Sequence, residues 1–273
     1  SIDLVAWPAG VVNLTEGSAS TTSVSANWTI PKRAVDRFSI SCSDGDASPA
    51  TIEDTSQSSY VASCVNLTVP GDTYNMTVYS IVNSGATTTS SSIVLVALPE
   101  AVSLNEESNM VTTTSITASW TKPNGIVDYY EVSCSNGVAS TDKVYASEYL
   151  IASCTGLNPG GNYTISVTSV SSDIRSETDT IKITSYPNSA VLRSSEITTR
   201  QITVQWDDPE GEEDYFIVDC GADWSTEFIL NHDQGTDNTF EATCNVSMAG
   251  APYDITLTSV SGDKESPVTT STW

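Results

Sequence analysis

Histidine is nearly missing from this chain: His232 is the only one in 273 residues. A single imidazole excludes a histidine-dependent catalytic triad and any metal site built on two histidines. Its setting, "NHDQGTDN", reads as a polar loop and therefore as a solvated side chain. No G-x-S-x-G, Walker loop or dinucleotide fingerprint takes its place. Basic residues are scarce as well, 10 Lys plus Arg against 34 Asp plus Glu, for a net charge of -24. Nucleic-acid backbones and anionic membrane surfaces attract the opposite sign, so neither is expected as a partner. No apolar run reaches the roughly 18 residues of a membrane helix, and no charged-then-apolar leader opens the chain. The six cysteines never form C-x-x-C, which favours disulfides and an oxidising compartment over zinc.

What the chain does contain is itself, repeated. "SIDLVAWP" at 1–8 and "SIVLVALP" at 92–99 agree at six of eight places. Self-similarity at a fixed period is the signature of a repeat architecture. Trp28, Trp120 and Trp206 close the runs "SVSANW", "SITASW" and "QITVQW". Each run alternates (Val24, Ala26, Trp28; Ile116, Ala118, Trp120; Ile202, Val204, Trp206), the period of a strand with one buried face. Ten residues after each Trp stands an aromatic (Phe38, Tyr130, Phe216), and fourteen after it a cysteine: Cys42, Cys134, Cys220. The second cysteines, Cys64, Cys154 and Cys244, end further alternating runs through Ala62, Ala152 and Ala242. Tyr74, Tyr163 and Tyr253 then open "YNMTVYS", "YTISVTS" and "YDITLTS". Short strands with turn signals and no helical periodicity predict an all-β chain of two-sheet sandwiches.

These residues resemble fibronectin type III domains: the Trp on the second strand, the aromatic ten later, and "LTVPGDTY" or "LNPGGNY" before the sixth strand. In that family the Leu and Tyr form a tyrosine corner, matched here by Leu67 with Tyr74 and by Leu157 with Tyr163. The third repeat, with "MAGAPY", keeps Tyr253 and loses the Leu-Pro spacing. The resemblance implies three tandem immunoglobulin-like sandwiches arranged as a rod and says little about function. The family usually has no cysteine pair. In a sandwich of this kind strands three and five lie in opposite sheets, and parity points both cysteines inward. The expected bonds are therefore Cys42–Cys64, Cys134–Cys154 and Cys220–Cys244, each stabilising by about 3 kcal/mol in the chain-entropy account.

Trp7-Pro8, Leu98-Pro99 and Tyr186-Pro187 mark the junctions, and Trp273 falls 87 residues after Tyr186. The expected division is a tail of a preceding repeat at 1–7, then repeats at 8–98, 99–186 and 187–273, an internal stretch of a longer array. A proline directly after a strand leaves little slack between neighbours.

Sequons occur at Asn13, Asn27, Asn66, Asn75, Asn162 and Asn245, candidate N-glycosylation sites in a secreted chain. None falls on a predicted core face. The cluster "DDPEGEEDY" (Asp207, Asp208, Glu210, Glu212, Glu213, Asp214) reads as a solvated acidic loop, with a calcium site as the alternative. The matching loop of the first repeat carries Lys32, Arg33 and Arg37. Formal charge runs from -4 in the first repeat (3 basic, 7 acidic) to -6 (4 and 10) and -13 (3 and 16) in the next two. Such polarity suits lateral pairing of rods, or reflects drift among surface loops.

No catalytic, metal or cofactor residue is assigned. The expected function is a non-catalytic extracellular segment of a glycosylated array, in a fibre, appendage or matrix rod. Its partners would be neighbouring copies of the array or another extracellular protein. The alternative is an adhesive or ligand-binding receptor ectodomain, since cysteine-bridged arrays of this module resemble receptor-type tyrosine phosphatases. A spacer in a secreted carbohydrate-active enzyme ranks behind both.

Overall fold

The computed structural model describes residues 10–29, 35–82, 88–105, 110–139, 141–146, 150–221, 227–231 and 238–273. Every regular element among them is a β-strand. The strands form three pairs of sheets, and no described sheet draws strands from two repeats. In the first repeat Val12–Ala19, Ser23–Thr29, Ser59–Val65 and Asp46–Ser48 make one sheet, and Thr51–Ile52, Arg37–Cys42, Thr73–Ile81 and Thr88–Val96 the other. The second repeat repeats this order, with Ser115–Thr121 beside Ile151–Thr155 and Tyr129–Cys134 beside Asn162–Ser171. In the third, Gln201–Asp207 pairs Thr239–Asn245 and Tyr215–Asp219 pairs Asp254–Ser261.

Register follows the apolar alternation. Opposite one another stand Trp28 and Tyr60, Ala26 and Ala62, Val24 and Cys64. The third repeat aligns Trp206 with Phe240, Val204 with Ala242 and Ile202 with Cys244. A one-residue slip would turn each of these rows toward solvent, so burial sets the pairing. Each Trp meets its aromatic partner edge-on, at 5.7 Å (Trp28–Phe38), 5.5 Å (Trp120–Tyr130) and 5.6 Å (Trp206–Phe216) between ring centres. Such contacts contribute about 0.5–1.5 kcal/mol beyond area burial.

The disulfides Cys42–Cys64, Cys134–Cys154 and Cys220–Cys244 span the two sheets, with Cα–Cα distances of 5.8, 6.0 and 5.6 Å. The tyrosine corner closes in all three repeats. The hydroxyl of Tyr74 donates to the Val69 carbonyl at 2.8 Å and accepts from its N–H at 3.1 Å. Tyr163 does the same with Asn158, and Tyr253 with Met248. The lost Leu-Pro spacing of the third repeat therefore leaves the corner intact. Val246 sits at the Leu157 position there, its N–H donating to Arg200 as Leu157 donates to Thr114.

Trp273 pairs with Tyr253, the register place held by Ile183 opposite Tyr163 and by Leu95 opposite Tyr74. In register it therefore matches Ile183 and Leu95, which stand three residues before Tyr186 and Leu98. The last strand pairs as Val260–Glu265 and then as Leu257–Thr269, an interruption that alters the count along the chain.

Candidate functional site at the domain junctions

The features built alike at two places in the chain are the contacts between consecutive sandwiches. After the tyrosine corner of the first repeat, Pro70 and Gly71 meet the loop Gly125–Ile126 of the second. The Ile126 N–H donates to the Pro70 carbonyl at 2.9 Å. The Ser171 hydroxyl, from the hairpin that joins the last two strands, donates to the Gly71 carbonyl at 2.7 Å and is buried. The Gly71 N–H donates to Leu98 at 3.1 Å, tying the corner to the residue before the junction proline.

At the next junction the same atoms recur. Glu212 N–H donates to Pro159 at 2.9 Å, the Ser261 hydroxyl to Gly160 at 2.6 Å, and Gly160 N–H to Tyr186 at 3.1 Å. Glycine is required on both sides of each contact. Gly71, Gly160, Gly125 and Gly211 take φ of 75°, 72°, 87° and 140°, where a Cβ is disfavoured. An added Cβ on Gly125 or Gly211 would crowd the facing proline carbonyl, and one on Gly71 or Gly160 the carbonyl of Ile126 or Glu212. At each junction one backbone bond and one buried hydroxyl bond cross between neighbours, and a second backbone bond ties the corner to the residue before the proline. The contacts are made by backbone groups and one serine hydroxyl at each junction.

Residue order alone did not single out this latch. Its signal is nonetheless present: Pro-Gly at 70–71 and 159–160, Gly at 125 and 211, Ser at 171 and 261. The third repeat offers Ala249-Gly250, with Gly250 at φ 81°, beside a groove of about 330 Å³ lined by Ile197, Met248 and Trp273.

The acids of "DDPEGEEDY" are used one by one. Asp207 pairs with Arg193. Asp214 accepts the Gly262 N–H at 2.7 Å, as Asp128 accepts Ser172 at 2.8 Å. Glu212 supplies the latch N–H. Glu213 is 8% exposed at the place of Val127 (8%) and Val35 (5%). Among the described residues no three acidic, cysteine or histidine side chains are grouped to hold a metal ion. Arg37 lies half-buried on its strand, whereas Lys32, Arg33 and His232 fall outside the described residues, as do Trp7 and Pro8.

All six sequon asparagines are exposed. Asn13 and Asn66 hold positive φ, 53° and 59°. Asn27 faces Thr15 across the first two strands, and the Asn13 amide donates to Thr29 at 3.3 Å. Asn75 stands outward between buried Tyr74 and Met76, Asn162 accepts from Thr184, and Asn245 accepts from Gln201.

Elsewhere charge acts locally. The Arg175 guanidinium forks onto Glu131, with both bonds at 2.8 Å, and holds that carboxyl below its usual range. Lys143 lies 4.0 Å from the Tyr129 ring centre.

The fibronectin type III domain family model matches residues 101–184. The receptor-type tyrosine-protein phosphatase eta of Gallus gallus is 28% identical over 183 residues, 67% of this chain and 13% of that protein's length. A two-domain fibronectin type-III segment from chicken tenascin aligns at 19% identity and TM-score 0.45, covering 63% of this chain and 96% of that one. The FN1–FN3 domains of chicken CNTN1 align at 13% identity and TM-score 0.33, covering 97% and 98%.

Proposed function

We propose that the three tandem fibronectin type III domains of this chain form a stiff, non-catalytic extracellular segment of a longer glycosylated array, in a fibre, surface appendage or matrix rod. The proposed units are 8–98, 99–186 and 187–273. One observation carries the reading: the same latch, with the same donors and acceptors, closes both junctions. A repeated junction gives the second and third domains the same placement on their predecessors, and iteration of one placement generates a rod or helix. Gly250 continues the acceptor half at the third domain.

Three disulfides suit an oxidising exterior. The six exposed sequons are proposed to carry N-glycans, and the partners are neighbouring arrays or another extracellular protein. A second reading, an adhesive receptor ectodomain, draws on the likeness to receptor-type tyrosine-protein phosphatase eta.

Electron microscopy of the native material, with mass spectrometry of the same sample, separates the two. The array reading expects filaments whose rise is a whole number of domains, with hexose on these asparagines. Short rods ending at a membrane would overturn it in favour of the receptor.

A further inference from the structure

Between the second and third domains runs a mostly polar groove of about 450 Å³. Its walls are Val111, Thr180, Lys182 and Thr184 from one side and Asp263 and Lys264 from the other. Asn162 stands at its margin. It pairs in register with Thr184, whose hydroxyl donates to the Asn162 carboxamide oxygen at 2.8 Å. Gly262 of the third domain packs on that same Thr184, so close that an added Cβ would lie 3.1 Å from its hydroxyl oxygen. One side chain therefore separates the Asn162 sequon from the next domain.

We infer that a glycan on Asn162 lies in this groove and acts as a strut between the second and third domains. This inference rests on the glycosylation proposed above. With the amide oxygen held by Thr184, the Asn162 nitrogen is the atom left for the sugar. It displaces the activating phosphate of an oligosaccharide donor at the anomeric carbon and loses a proton. The ligand class is thus an N-linked amino sugar, a ring with several hydroxyls and an acetamide. Threonine hydroxyls, the Lys264 ammonium and the Asp263 carboxylate (paired with each other at 2.9 Å) supply the donors and acceptors such a ring needs. Lys264 also stands 5.9 Å from the Tyr186 ring centre, so the hairpin already leans on the linker. The first junction provides an internal control. There the place of Asn162 is held by Thr73, which is not a sequon.

The test uses the glycosylated full chain. Glycopeptide mass spectrometry reads the occupancy of Asn162, and hydrogen exchange is then followed before and after enzymatic removal of N-glycans. The expected result is a rise of about fivefold in exchange at 182–186 and 262–266, with 124–128 and 171–175 at the first junction unchanged. The variant Thr164→Ala, which abolishes the sequon and keeps Asn162, should give the same pattern. An occupied Asn162 with unchanged exchange at the second junction, or an equal rise at both junctions, would overturn the strut and leave glycosylation standing. An unoccupied Asn162 would overturn both.

Discussion

Position 213 shows how one side chain departs from its repeat. Glu213 is buried where Val35 and Val127 are buried, so a carboxylate stands in a place shaped for an aliphatic side chain. Tyr130 is a second polar side chain at a place that is apolar in the other repeats. It is fully buried at the place of Phe38 and Phe216, and its hydroxyl finds no hydrogen-bond partner among the described residues. Burial pushes its phenol above the ordinary value of 10.0. A raised pKa in the fold means the neutral form is favoured there. That contribution is complete below the unfolded pKa and is lost as pH rises through the shifted value. Tyr74 is raised for the same first cause, opposed by its bond to Val69. Tyr130→Phe should therefore add about 1–3 kcal/mol at neutral pH and flatten the fall in stability above pH 10. Denaturant titrations at pH 7 and above pH 10 check both; equal loss in variant and parent at high pH would refute the assignment.

Strands were the legible part of this sequence, because a period of two over "SITASW" is set by burial alone and no neighbour changes it. The cysteines at a constant fourteen residues from Trp reported the second sheet in the same way. Two things escaped. Spacing does not show that the last strand of the third domain pairs in two separate stretches before Trp273 meets Tyr253. The latch escaped because its acceptors are backbone carbonyls, and its glycines show their purpose only when a neighbouring domain approaches them. At this scale the disulfides join strands that no hydrogen bond links. Replacing Cys42 and Cys64 together by alanine is expected to cost the first domain about 3 kcal/mol, given the 22-residue separation. Guanidinium unfolding of the full chain, followed at Trp28, would show this as a lower midpoint; an unchanged midpoint would refute it.

At the scale of the whole chain, the proposed stiffness rests on four glycines and two serines. The donor half of the latch belongs to the second and third domains, since the first carries Arg33 and Val82 at the aligned places. Substituting Gly125 and Gly211 by valine puts a Cβ against the carbonyls of Pro70 and Pro159 in a backbone region costing about 1–2 kcal/mol per residue. The sandwiches should survive, because both positions lie in loops outside the three hydrophobic cores. What should fail is the fixed angle between them. Residual dipolar couplings give the direct reading: in the parent chain all three domains should share one alignment tensor, and in the double variant the tensors should separate. Single variants sharpen the argument, because Gly125→Val should free the first domain alone and Gly211→Val the third alone. If the tensors stay common in the double variant, the prolines after each strand hold the rod straight by themselves, and the latch is incidental to its stiffness.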